Sequence, residues 1–240
     1  MKKSILLPCL AVVVASGVFA DENPTTDEII NSYVGVGIVS PIQFPSASDN
    51  VYGLRLGLVS AYNNEVIGLD LAPVGIADSN LKGAQFSLFT WSSDSVYGLQ
   101  IGALANVVVE NTIACQLGAV NVVRGDAGGI QLSLANYANS FAGVQFGCLF
   151  NWNRAASAGV QAGLVNEDLE EFAGASFGAI NNAGSIVGFQ LGVFNFTDKM
   201  TGVQIGFINA AGDMKGVQIG ALNMICDHRV PVLPVANGSF

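Results

Sequence analysis

Apolar and polar residues alternate with a period of two in short segments along most of this chain, and polar stretches separate the segments. In one such segment, Val203, Ile205 and Phe207 stand at every second position, with small or amide residues between them. A period of two is the side-chain period of a β-strand. The stretches between segments are rich in Asn, Asp, Ser, Gly and Glu, which are typical of turns. Since no helical periodicity persists over several turns, the pattern predicts an all-β protein.

The segment is one unit of an internal repeat. The sequence GVQIGFIN at residues 202–209 returns as GVQIGALN at residues 216–223, and weaker copies extend back to residue 53. The units begin every 14 to 16 residues, at Gly53, Gly68, Gly83, Gly98, Ala114, Gly129, Gly143, Gly159, Gly174, Gly188, Gly202 and Gly216. A unit this small cannot bury an apolar face alone, so we expect the twelve units to stack on one another.

Amide residues hold two fixed positions in the unit, which we number from its first residue. The third position is Gln in nine of the twelve units, and the eighth is commonly Asn. The predicted ladder residues are Gln85, Gln100, Gln116, Gln131, Gln145, Gln161, Gln190, Gln204, Gln218, Asn121, Asn136, Asn166, Asn181, Asn195, Asn209 and Asn223, and Asn106 and Asn151 come one place late. Amides stacked in register can hydrogen-bond along a column. The pattern leaves open whether the Gln ladder faces solvent.

Two architectures fit a repeat of this length. One is a parallel β-solenoid of about twelve coils of 14–16 residues with capped ends, and the alternative is an antiparallel outer-membrane β-barrel of about 12 strands. A bacterial barrel alternates short turns with longer loops, whereas successive linkers here do not alternate in length. The barrel also lacks its aromatic girdles, because Tyr and Trp total only seven. These features favour the solenoid.

Arg55 and Asp70 give a second indication of parallel stacking. They occupy the Gln position of two adjacent units. In parallel coils in register they would lie about 4.8 Å apart, close enough to form an ion pair on the surface. In an antiparallel hairpin the two residues would be out of register and would not be neighbours.

The chain is unusually apolar, with 51% hydrophobic residues and a mean hydropathy of +0.49. In a solenoid this excess is explained if the alternating apolar residues of each coil face a narrow core. We therefore expect Ile205→Asp or Ile219→Asp to unfold the C-terminal coils, because either would bury an unpaired charge. Cys115 and Cys148 stand at apolar positions of the motif and are interpreted as small hydrophobic residues.

The two ends lack the repeat. Residues 1–20 have Lys2, Lys3, an apolar run and a small residue at Ala20, which is typical of a secretory signal peptide. Residues 21–50 form an N-terminal segment and cap, 51–225 the repeat domain, and 226–240 a C-terminal cap whose prolines block edge pairing. Caps are expected because open coil ends would polymerise.

Charge and missing motifs bound the chemistry. Without Lys2 and Lys3 the chain has 7 basic and 18 acidic residues, a formal net charge of −11, so nucleic acid is excluded as a partner. Four acidic residues in one linker (Glu167, Asp168, Glu170 and Glu171) could suggest Ca²⁺, but no calcium-repeat motif accompanies them, and a solvated turn is the preferred interpretation. The only histidine, His228, has no catalytic partner. We predict no catalytic residue, cofactor or metal.

The repeated GVQIGFIN-type unit, with the C-terminal sequence PVLPVANGSF, resembles the bacterial surface-repeat proteins built from tandem GxQxGxxN units, over residues 53–240. The resemblance implies an exported protein, with no catalytic residues to carry over. We expect a non-enzymatic cell-envelope scaffold at the outer membrane, the cell surface or in the periplasm, with envelope proteins or glycans as partners. The alternative function is a barrel that acts as a channel or anchor.

Overall fold

The computed structural model describes residues 29–227 and 230–240. The expected signal peptide and His228 lie outside these residues. The described chain forms a parallel β-solenoid, as predicted. Its strands are β1 (Asn31–Val39), β2 (Ile42–Phe44), β3 (Asn50–Gly57), β4 (Ser60–Asn63), β5 (Val66–Leu71), β6 (Val74–Ala77), β7 (Leu81–Ser92), β8 (Val96–Val108), β9 (Thr112–Asn153), β10 (Ser157–Ile225) and β11 (Val232–Ser239).

Each coil pairs in parallel with the coil one repeat later. Gly83 of β7 lies opposite Gly98 of β8, and Gln85 lies opposite Gln100. The long strands β9 and β10 each wind through several coils, and their junction keeps the same register, with Gln145 opposite Gln161. Parallel pairing at the repeat period contradicts the barrel alternative, in which neighbouring strands would run antiparallel.

The regular part of the solenoid has about nine turns, fewer than the twelve predicted. The N-terminal units account for part of the difference, because the first two are divided into short strands, β3 with β4 and β5 with β6. The last unit stacks regularly on the one before it, with Gln218 bonded to Gln204, and its outer edge pairs with β11. The first units are those in which Arg or Asp replaces Gln at the third position.

Both ends of the stack are paired with non-repeat strands. At the N-terminal end, β1 pairs in parallel with β3, and β2 pairs antiparallel with β1. At the C-terminal end, β11 pairs antiparallel with the last coil of β10, so that Gln218 lies opposite Asn237. Each flank therefore occupies a strand edge that a plain stack of coils would leave open.

The first residue of each unit lies almost on top of its counterpart in the preceding coil. Gly202 has a φ of +137°, and a Cβ at this position would lie 1.9 Å from the carbonyl oxygen of Gly188. A side chain is excluded both by this contact and by the backbone conformation. The close approach explains why Gly recurs there at nearly every repeat.

The orientation of the strands is the reverse of the one we expected. Gln204 and Asn209 are fully buried, whereas Phe207 and Ile219 are 61% and 45% exposed. The prediction that Ile205 and Ile219 face the core is therefore wrong. The physical reason is that the amides satisfy one another coil to coil, so a polar column can be buried without unpaired groups.

The apolar core is built by the linkers and not by the motif. Residues two places before each unit, and residues two places after its Asn, point inward and form most of two clusters. The larger members are Leu81, Val96, Phe141, Phe172, Ile186, Met200, Met214 and Ile225. One side of the coil interior thus contains the amides of the motif, and the other side contains the apolar residues of the linkers.

Candidate functional site: the amide core and the apolar strip

The Gln side chains at the third position form a buried hydrogen-bonded column. In each step, Nε2 donates to Oε1 of the Gln in the preceding coil, with donor–acceptor distances of 2.7 to 3.1 Å. One run joins Gln145 back to Gln85, and a second joins Gln218 back to Gln190. The predicted residues are thus brought together, except at the coils between the two runs.

The Asn side chains form a second column that is continuous from Asn106 to Asn223. Each Nδ2 donates to Oδ1 of the Asn in the following coil, at 2.7 to 3.0 Å. Several also donate to a backbone carbonyl of that coil, as Asn181 does to Leu191 at 3.0 Å. Because Asn donates forward and Gln donates backward, the dipoles of the two amide columns oppose each other along the rod.

The N-terminal end of the Gln column is closed by an ion pair. Arg55 donates from Nε and Nη2 to the two carboxylate oxygens of Asp70, at 2.8 and 2.6 Å, and Gln85 donates to Asp70 at 2.8 Å. The side chains of Arg55 and Asp70 are 1% and 0% exposed. Our prediction of parallel neighbours is confirmed, but the prediction of a surface pair is wrong, because the third position of the unit points inward.

Asp168 and Ser176 together interrupt the Gln column, because Ser176 stands at the Gln position of its unit and donates to Asn181 at 2.8 Å. Asp168 acts on the unit before it. Its Oδ1 accepts from Asn153 and from Gln161, each at 2.9 Å. Gln161 is thereby drawn toward Asp168, and its Oε1 is buried without a hydrogen-bond partner. Burial raises the pKa of Asp168 to about 6, against the opposing effect of the two amide donors. The two apolar core clusters also separate near these coils.

The outer surface of the motif is a continuous apolar strip, which we define as positions 2, 4, 6 and 7 of all twelve units. Each of these positions is Ala, Val, Ile, Leu, Phe, Pro or Cys, with no polar or charged residue among them. Many are well exposed, including Leu58 at 71%, Leu164 at 51% and Phe207 at 61%. Since consecutive coils lie about 4.8 Å apart, the strip extends for roughly 50 Å along the rod.

Aromatic residues with a polar group border the strip. Trp91 and Trp152 directly follow the eighth-position column on one side, and Tyr97 directly precedes the first position on the other. Tyr52, Tyr62 and Tyr137 take equivalent places in other units, whereas Tyr33 lies beside Gly53 in the N-terminal strand β1. All Trp and Tyr residues of the chain are thus Tyr33, Tyr52, Tyr62, Trp91, Tyr97, Tyr137 and Trp152. They lie along the part of the rod from the N-terminal cap to residue 152.

The charged residues of the repeat lie on the opposite side of the coil, which we call the linker face. Apart from the buried pair Arg55 and Asp70, every Asp, Glu, Lys and Arg of residues 53–225 falls between the eighth position of one unit and the first position of the next, and of these Asp168 alone is buried. The surface ion pair between Lys82 and Glu65, at 2.9 Å, is of this kind. The rod is therefore amphipathic in cross-section.

The acidic linker does not assemble a metal site. Asp168 points into the core, while Glu167 accepts from Asn182 at 2.7 Å on the outside. Across residues 29–227 and 230–240, no group of three or more His, Cys, Asp or Glu side chains could hold a metal ion. Among the same residues, no helix has the length and apolar character needed to span a bilayer.

The strip is the feature that sequence analysis missed, although its signal was present. The sequence predicts the alternating apolar residues of the motif, Ile205 and Ile219 among them, to be in the core, because apolar residues usually face inward. The uniform Gln and Asn between them carried the contrary information, since an outward face would tolerate many polar residues. Cys115 and Cys148 belong to the strip as well and are half-buried and exposed, not core residues.

Comparisons with known proteins give no match: no family model, no curated protein and no solved structure matches the chain. The stacked coils and their Asn and Gln ladders are consistent with a repeat protein.

Proposed function

We propose that this chain is a non-enzymatic, exported scaffold of the bacterial cell envelope, of the kind built from tandem GxQxGxxN surface repeats. The observation that carries the proposal is the separation of the rod into an apolar strip and a charged linker face. Such a rod can lie against one surface and present another. The buried amide columns supply the rigidity, and the linkers, which vary from unit to unit, supply chemically distinct contact groups for envelope proteins or glycans.

Export is supported by the N-terminal sequence. Lys2 and Lys3 precede an apolar run that ends near Ala20, the arrangement that a signal peptidase recognises. The outer membrane or the cell surface is the proposed location, with the periplasm as the alternative. The channel hypothesis required a barrel and loses its structural basis in a parallel solenoid.

A fractionation experiment tests the proposal. The full chain and a variant without residues 2–20 would be expressed in a Gram-negative host and followed by immunoblotting of cytoplasm, periplasm and membranes. We expect the full chain to be shortened and found in the envelope, and the variant to stay in the cytoplasm. An unshortened full chain in the cytoplasm would contradict the proposal.

A second experiment addresses the contacts. Photo-crosslinking groups would be placed at Ala156 on the linker face and, as the matched control, inside the coil at Ser176. Crosslinks to envelope proteins or glycans from position 156 alone would support a presenting scaffold. Equal crosslinking from both positions would argue against it.

A further inference from the structure

We propose that the apolar strip seats the rod on the surface of a lipid bilayer, with the linker face turned toward water. This inference deepens the proposed function, on which it rests for the presence of a membrane in the same compartment. It names the contact surface and its partner, the interfacial region of a neutral or zwitterionic lipid layer. It makes the rod a peripheral protein that lies on the membrane without crossing it.

The composition of the strip is the first argument. An interface with a protein normally combines apolar and polar positions, because a contact patch has a polar rim and specific hydrogen bonds. The strip has four apolar positions in every unit, and Ser60 of the first unit is the polar residue that the strand pairing brings into its seventh-position column. Hydrocarbon requires no directional partner, so a uniform apolar face fits lipid better than it fits a folded partner.

The strip is also a long, contiguous surface. Positions 2 and 4 of a coil lie on an extended strand, whereas positions 6 and 7 turn a corner, because a Cβ at Gly102 would collide with the carbonyl oxygen of Ala105 three residues later. The strip therefore wraps one edge of the coil and continues along the rod for roughly 50 Å. A contiguous exposed apolar surface of that length marks an interaction site. Water contact over this whole area would be strongly unfavourable.

The bordering aromatic residues are the second, independent argument. Trp and Tyr concentrate where a protein crosses from hydrocarbon to headgroups, because their rings are apolar and their N–H and O–H groups need polar partners. Here Trp91, Trp152 and Tyr97 stand at the edges of the strip, where the charge-free face meets the charged one. That placement matches the water–lipid boundary of a rod lying flat.

The backbone meets the third requirement. Groups that enter hydrocarbon must have their backbone N–H and C=O groups satisfied within the protein. In β7 and β8 these groups pair with the coils before and after, along the rod axis, so the lateral face exposes side chains and not strand edges. The unpaired edges are confined to the ends.

The charge of the linker face predicts which lipid is bound. The chain 21–240 has 7 basic and 18 acidic residues, a formal net charge of −11, so an anionic bilayer would repel it. Contact through the strip is hydrophobic and should not weaken as salt increases. We therefore expect binding to phosphatidylcholine vesicles that is insensitive to ionic strength, and weaker binding when an anionic lipid is added at low salt.

Vesicle flotation of the purified chain 21–240 tests the inference. The strip variant L164D/F207D places two carboxylates at exposed strip positions. The control variant N111D/A156D places two at exposed positions of the linker face. We expect the unmodified chain and the control to float with phosphatidylcholine vesicles at both about 0.1 M and about 1 M salt. The affinity of the strip variant for the vesicles should be at least about tenfold lower. Matching circular dichroism melts would show that both variants fold.

A measurement on the unmodified chain keeps the test independent of the variants. The two Trp residues both border the strip, so lipids brominated near the glycerol should quench their fluorescence more than lipids brominated near the chain ends. Absence of flotation and of quenching would overturn the inference. Dimers in sedimentation that L164D/F207D dissociates, without lipid binding, would instead assign the strip to a second copy of the chain.

These outcomes are separable from those of the fractionation experiment. A chain that reaches the envelope but does not bind vesicles retains the proposed scaffold function and loses the lipid contact. A chain that binds vesicles but stays unprocessed in the cytoplasm loses the envelope function and retains the membrane-binding strip.

Discussion

Arg55 and Asp70 form a bidentate ion pair that terminates the Gln column inside the coil. Gln85, the first Gln of the column, donates to the same carboxylate. Arg55 Nη1 also donates to the carbonyl of Ile76 at 2.7 Å. The pair is buried, so its members depend on each other for the solvation that water would otherwise provide. The amide of Gln85 therefore donates to a carboxylate, that of Asp70, whose charge is already balanced by Arg55.

Removal of one partner of this pair should be costly. Asp70→Asn leaves the Arg55 guanidinium buried without its counter-ion, and we expect a loss of about 3–5 kcal/mol in the free energy of unfolding. The double variant R55Q/D70Q restores two amides that can extend the Gln column, and should recover much of the loss. Urea unfolding of the single and double variants measures both. As a control, Lys82→Ala on the linker face should cost less than about 1 kcal/mol. Equal stability of Asp70→Asn and the unmodified chain would show that the pair is not buried in solution.

Asp168 should make stability depend on pH in a direction opposite to that of most carboxylates. Its pKa is higher in the folded chain, about 6 against an ordinary 3.8, because burial penalises the charged form. The folded state thus binds the proton more tightly, so the contribution to stability is full below about pH 4 and is lost as the pH rises through about 6. The change is at most about 3 kcal/mol.

The variant Asp168→Asn isolates this effect. An amide oxygen can still accept from Asn153 and Gln161, but it does not ionise. We expect the variant to be more stable than the unmodified chain at pH 7 and to lose the dependence between about pH 4 and 6. Asp213→Asn, an exposed linker residue, serves as the control and should retain it. Urea midpoints at a series of pH values give the comparison, and an unchanged profile for Asp168→Asn would assign the dependence to other groups.

The two faces of the same strand should respond in opposite ways to substitution. Gln204→Leu removes the bonds to Gln190 and from Gln218, and we expect a loss of about 1–3 kcal/mol for each polar group left unpaired. Ile219→Asp, on the exposed strip, should change stability by less than about 1 kcal/mol. Thermal unfolding of the two variants makes the comparison. If Ile219→Asp unfolded the chain and Gln204→Leu did not, the apolar residues of the motif would be buried and the amides exposed.

The first position of the unit should not accept a side chain. Gly202→Ala would place a Cβ against the Gly188 carbonyl at a φ of +137°, and we expect a loss of more than about 2 kcal/mol. Gly128→Ala is the matched control, since its Cβ would meet nothing closer than 3.6 Å. Denaturant unfolding should separate the two substitutions clearly. If they melted alike, the close stacking at Gly188 would not exist in solution.

The repeat, the strand class and the parallel stacking could all be predicted from the sequence, because each depends on spacing alone. A period of 14 to 16 residues that does not alternate is a property of coils, and Arg55 beside Asp70 fixes the register. The inside and the outside could not be predicted from period two, which is the same whichever face is buried. Which face is buried depends on whether the amide side chains have hydrogen-bond partners, and those partners belong to other coils.

The interruption at Asp168 was also outside the reach of the sequence. Its place in an acidic linker made it look like one of four solvated carboxylates. Only the coil geometry shows that the residue two places after Asn166 points inward, between Asn153 and Gln161. The same coil geometry places the apolar residues of the motif, which the sequence predicts in the core, on the surface.

Amide positions of the unit face inward and apolar positions face outward, and cysteine labelling at two adjacent residues distinguishes this orientation from its reverse. Ser176 occupies the Gln column and is buried, and Phe177 is the next residue, on the strip. Ser176→Cys and Phe177→Cys would be made in a chain with Cys115, Cys148 and Cys226 replaced by Ser, and treated with a water-soluble maleimide. We predict rapid reaction at position 177 and reaction at position 176 only after unfolding. Rapid labelling at position 176 with protection at position 177 would show that the strand has the opposite orientation.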